Sequence, residues 1–106
     1  MVDLEGKGFG TKAVHGAGPP DPVTGAPLLD STVVLWAKEM GDSRAHVCQG
    51  VPFVLAGSGN GFFSPGRLVD LAGGTHDSVL TSIANAFGVD IEQFGIGTAG
   101  PAEVLR

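Results

Sequence analysis

The sequence predicts an α/β fold of two or three short strands and one C-terminal helix, behind a loop-like or disordered N-terminal arm. Three observations predict it: apolar runs at residues 32–37 and 51–56, a change to helical spacing after Thr75, and a crowd of Gly and Pro before Leu28. With 106 residues and 10.7 kDa, the chain is at most one small domain. Its 18 Gly and 7 Pro lie mostly outside the apolar runs, so the usable core is expected between residues 31 and 95.

Residues 1–27 contain GKGFG and HGAGPPDPVTGAP. Gly permits many backbone conformations there, and each Pro removes a donor and disfavours helix at the residue before it. The arm is set apart from residues 28–106, the α/β segment. Thr32-Val33-Val34-Leu35-Trp36-Ala37 is apolar on both faces and follows Asp30-Ser31, which predicts a central strand covered on both sides. A polar stretch, KEMGDSRAHVCQG at 38–50, leads into a second buried strand, Val51-Pro52-Phe53-Val54-Leu55-Ala56, with Pro near its start, where it is tolerated. GSGNGFFSPGR is a Gly-rich turn region, and Leu68-Val69-Asp70-Leu71 is a candidate edge strand.

From Thr75 the apolar residues Val79, Leu80, Ile83, Ala84 and Phe87 recur at helical spacing. Thr75 is the expected N-cap, Asp77 complements the positive end of the helix dipole, and Gly88 is the expected left-handed C-terminal cap. In the tail, Ile91, Phe94 and Ile96 are expected to pack back on the helix.

A net charge of -5 with six Lys+Arg argues against a nucleic-acid surface, which needs concentrated positive charge. The single Cys48 excludes an internal disulfide and a multi-cysteine zinc site. No stretch has the apolar length of a transmembrane segment, and MVDLEGKGFG lacks the charged-then-apolar order of a signal peptide.

LLDSTVVLWAKEMGDS, HVCQGVPFVLAGSGNGFFSPGR and HDSVLTSIANAFGVDIEQFG together resemble the C-terminal end of the HXXSHH family, bacterial proteins of unknown function. The resemblance runs from Leu28 to Arg106. It implies that the chain is the end of a longer protein, of a kind usually exported to the periplasm or cell envelope. A more distant likeness is to the alkaline-phosphatase and sulfatase superfamily, in which a His followed after four residues by Val-Pro is a metal ligand; His46 precedes Val51-Pro52 at that spacing. By that likeness the sheet is a fragment of an alkaline-phosphatase-like sheet, and His46 and Glu39 are candidate ligands for a divalent metal such as zinc in the full-length relative. Where the superfamily carries Asp-His, this sequence reads Glu39-Met40, and methionine is a poor ligand for hard or borderline cations. The superfamily's nucleophile belongs to N-terminal strands, so the chain is expected to be a hydrolase-like piece that is silent alone, with no catalytic residue of its own. The competing expectation is a non-catalytic structural or interaction protein of the same fold.

Each candidate also has a plainer reading. His46 is otherwise a loop histidine bonded to backbone or solvent, and Glu39 a solvated side chain or a partner of Lys38 or Arg44. Asp42 and Ser43 read as turn residues, Cys48 as a small buried hydrophobe, His76 as part of a capping sequence, and GSGNG as a tight turn without the Lys of a P-loop. Apolar strands of this kind need cover, from a missing N-terminal portion or from a homo-oligomer.

Overall fold

The computed structural model describes residues 18–106. Its elements run α1 (Leu28–Ser31), β1 (Val34–Ala37), β2 (Phe53–Ala56), α2 (His76–Ala86) and a final 3₁₀ turn, Glu103–Leu105. This is a small α/β fold: a two-stranded antiparallel sheet and one main helix. Residues 1–17, including GKGFG, lie outside the described residues.

The described part of the Gly/Pro-rich arm is a closed loop. Pro20 bridges Pro27, the Leu28 N–H donates to the Pro19 carbonyl, and the Asp21 carboxylate accepts from the Val23 and Thr24 N–H groups at 2.7 and 3.0 Å. Those two amides hold the Asp21 carboxyl below its ordinary range, Thr24 foremost.

β1 and β2 pair Val34 with Ala56, Leu35 with Leu55, Trp36 with Val54 and Ala37 with Phe53. The expected cover on both faces of the first strand is absent within the described chain: all four β1 residues are exposed, with Trp36 at 50% and Val34 at 51%. Among the described residues β1 pairs with β2 alone, in a two-stranded sheet. β2 does better, with Val54 buried. The candidate strand at 68–71 does not form. The Asp70 carboxylate accepts the Ala72 N–H, the Gly74 N–H donates to the Leu71 carbonyl, and Leu68 is fully exposed, so local turn bonds take the place of a ladder.

Helix α2 begins and ends where the sequence places it. Thr75 is the N-cap residue in extended conformation, although its side chain makes no capping bond. At the other end Gly88 has φ +79°, its N–H donates to Asn85, and the Val89 N–H reaches back to Ala84. That pair of bonds is a Schellman closure, which needs a residue with positive φ at this position.

The burial of α2 differs from the expectation. Its buried residues are Asp77, Ser78, Val79, Thr81 and Ser82; Leu80 and Ile83 are half-buried, and Phe87 is 59% exposed. On this face the backbone of the C-terminal segment meets Asp77, Ser78 and Ser82. The Ala102 N–H donates to Ser82 Oγ at 2.8 Å and is shared with the Ser78 carbonyl, and the Ala99 N–H donates to the Asp77 carboxylate. Short side chains let a backbone come that close, while the Thr81 and Ser82 hydroxyls are satisfied by the carbonyls four residues back. Ile96 and Phe94, expected to pack back, are exposed, and Ala102 takes the place in the core instead.

Candidate functional site

The segment joining β1 to β2 carries the candidate ligands. It folds as an inner hairpin: Asp42 bridges Val47, the Gly41 N–H donates to the Val47 carbonyl, and the Val47 N–H to the Asp42 carbonyl. The Asp42 carboxylate closes the tip by accepting from the Arg44 and Ala45 N–H groups at 2.9 and 3.3 Å, which makes it the turn residue that the sequence suggested. His46 closes the turn with φ +53°, a left-handed conformation that a polar side chain such as histidine tolerates better than a β-branched one.

His46 and Glu39 are both exposed. By register, His46 lies on the tip side of the Asp42–Val47 bridge and Glu39 three residues before it, so they stand at different levels of the hairpin. Among the described residues, no ion pair joins Glu39 to Lys38 or Arg44. No group of three or more His, Cys, Asp or Glu among the described residues could hold a metal ion. One imidazole and one carboxylate fall short of the three protein ligands of a catalytic zinc site. Cys48 is exposed, not the buried hydrophobe that its neighbours suggested, because it lies in the connecting loop, beyond the end of the pairing between β1 and β2.

His76 and GSGNG lie elsewhere. His76 is the first residue of α2, exposed, with its ring 6.3 Å from that of Phe53 on β2. The Gly-rich loop does not offer amides to an anion. The N–H groups of Ser58, Gly59 and Asn60 donate to the carbonyls of Leu29, Thr32 and Asp30. Gly61 donates to Ser58 Oγ, Phe62 to Gly59 and Phe63 to Ser58, so every amide from 58 to 63 is engaged. What the loop does is close the end of α1, whose last carbonyls have no partner inside so short a helix. The Ser58 hydroxyl completes that closure by donating to the Asp30 carbonyl at 2.8 Å.

Beside this loop is an open depression of about 680 Å³, lined by Asp30, Ser58, Asn60, Gly61, Phe63, Ser64 and Pro65. Sequence reading did not find it, since it joins residues thirty positions apart through the closure of α1. Its buried hydroxyl, Ser58 Oγ, is already donating and accepting. Phe63 forms its floor, buried and edge-on to Phe62 at 5.0 Å. Arg67, exposed, donates to the Ser64 carbonyl through Nε and reaches the Arg106 carbonyl.

Among the described residues, no helix is long and apolar enough to cross a membrane. Comparison with protein-family models, with curated proteins and with solved structures finds no match to this chain.

Proposed function

We propose that residues 28–106 are the C-terminal segment of a metal-dependent, hydrolase-like bacterial protein of the phosphatase and sulfatase fold, exported and inactive without its N-terminal portion. The observation that carries this reading is β1. Val34, Leu35 and Trp36 form an apolar strand that is exposed throughout and, among the described residues, has one edge unpaired. A strand of that composition is ordinarily interior to a sheet, with neighbours and helices over it. The segment then supplies two strands, the helix α2, and His46 with Glu39 as two of the ligands of a site completed by upstream strands.

The test is the intact mass of the endogenous product, isolated through an antibody to the C-terminal peptide, followed by its metal content. A mass several times 10.7 kDa, with stoichiometric zinc or manganese that His46→Ala reduces, supports the reading. A 10.7 kDa product that hydrolyses a nitrophenyl phosphate or sulfate ester in a His46-dependent way overturns it.

A second reading is a non-catalytic structural or interaction protein of the cell envelope. The presence of Met40 in the place of the imidazole of an Asp-His pair favours it. A longer product with no bound metal, and no change in any hydrolysis on His46→Ala, would select this reading over the first.

A further inference from the structure

Residues 97–106 are attached to the rest of the described chain in an unusual way. Of their side chains only Ala102 is buried in the core; Val104 is half exposed, and Ile96, just before the segment, is fully exposed. The attachment is instead polar. Ala99 donates to Asp77 Oδ2 at 3.2 Å, and Ala102 donates to Ser82 Oγ and the Ser78 carbonyl. At the far end the Ser64 N–H donates to the Leu105 carbonyl, and the Arg106 guanidinium lies 4.8 Å from the Phe62 ring centre. Gly97 fits directly under the Asp77 carboxylate, where a side-chain carbon would collide with it.

A segment that buries little apolar surface and hangs on a few hydrogen bonds opens at low free energy, independently of the helices and strands beside it. We propose that residues 97–106 are a strap that opens as a unit separate from α2, with the Asp77 carboxylate as the hook that holds its first half shut. Opening frees Ser82 Oγ, now sealed from solvent, and the Ser78 carbonyl of α2 from the Ala102 N–H. It leaves the helix caps at Thr75 and Gly88 untouched.

The hook is ionisable, so the strap responds to acid. The Thr75 hydroxyl, chiefly, holds the Asp77 carboxyl below its ordinary range; desolvation opposes this, and the Ala99 N–H and the neighbouring His76 add to the lowering. His76 is the one other titratable side chain acting on it, and residues 97–102 of the strap carry no titratable side chain. A carboxyl with a lowered folded value stabilises above its unfolded value and loses that contribution as pH falls through the folded value. The strap therefore stays shut at neutral pH and loosens below the ordinary carboxylate range.

Amide hydrogen exchange on the full 106-residue chain tests this, with protection of Ala99 and Ala102 compared with that of Ile83 to Ala86. Asp77→Ala is expected to lower strap protection about tenfold, the worth of one hydrogen bond to a charged group, and to leave the α2 amides unchanged. Gly97→Ala, which keeps the carboxylate but crowds it, is expected to act in the same direction. In the unsubstituted chain, strap protection falls ahead of α2 as pH drops below the ordinary carboxylate range, and Asp77→Asn removes that pH dependence. Loss of protection in strap and helix together, an unprotected α2 at neutral pH, or the same acid response in Asp77→Asn overturns the proposal.

Discussion

The hairpin and the helix invert each other. β1 is apolar and exposed along its length, whereas the best-sealed residues of α2 are Thr81 and Ser82. Among the described residues the buried set holds four apolar side chains (Val54, Phe63, Val79, Ala102) and five polar ones (Ser58, Asp77, Ser78, Thr81, Ser82). Apolar character makes burial favourable, but burial happens only where the chain has something to lay over the residue. α2 has the strap; β1 has no cover among the described residues.

The sharpest way to break this contrast is to attack Phe63, the largest of the buried apolar side chains. Phe63→Ala is expected to cost about 3–5 kcal/mol, the usual range for a buried aromatic, and in a chain with so few buried apolar residues a urea melt should show the cooperative transition lost or nearly so. Next is the polar seal. Ser82→Ala leaves the Ala102 N–H with only its longer bond to the Ser78 carbonyl, and a loss of about 1–2 kcal/mol is expected by thermal melting. A comparable effect, about 1–2 kcal/mol, is expected of Gly88→Ala, since the Schellman closure holds residue 88 in the left-handed region.

Acid sharpens the comparison further. The Asp77 and Asp21 carboxyls both lie below their ordinary range when folded, so their contributions are present above the unfolded value and disappear as pH falls through the folded ones. Stability is expected to decline below about pH 4, with the Asp77 and Asp21 carboxyls responsible. Replacing Trp36 with Lys is the smallest expected change, within about 0.5 kcal/mol, because the side chain is half exposed. Its effect should appear in sedimentation velocity instead, as reduced self-association of the isolated chain; unchanged association would remove β1 as the sticky surface.

Much of the local structure is legible in the residues. The β-branched runs locate β1 and β2 to within two residues, Thr75 and Gly88 bracket α2, and Asp42 announces its turn. Those signals are local, since caps, turns and strand propensity depend on neighbours a few positions away. The misreadings share a different cause. Leu68–Leu71 has strand-like composition, but Asp70 and the glycines after it close a turn, and Ile96 is apolar with nothing over it. His46 and Glu39 could be singled out by type and resemblance, while the levels they occupy in the inner hairpin follow from the Asp42–Val47 bridge.

By itself, then, the sequence located β1, β2 and α2, and it ruled out a disulfide framework by having one cysteine. Only the tertiary structure decided which faces are covered. It showed that a Gly-rich loop spends its amides on the end of α1 rather than on an anion, and that a Ser/Thr stripe on α2, not its apolar stripe, receives the C-terminal strap. The physical reason is that burial and hydrogen-bond satisfaction are properties of pairs of segments. Ala102 meets Ser82 across twenty residues, and Ser58 meets Asp30 across twenty-eight, distances at which no local pattern of residue types carries information.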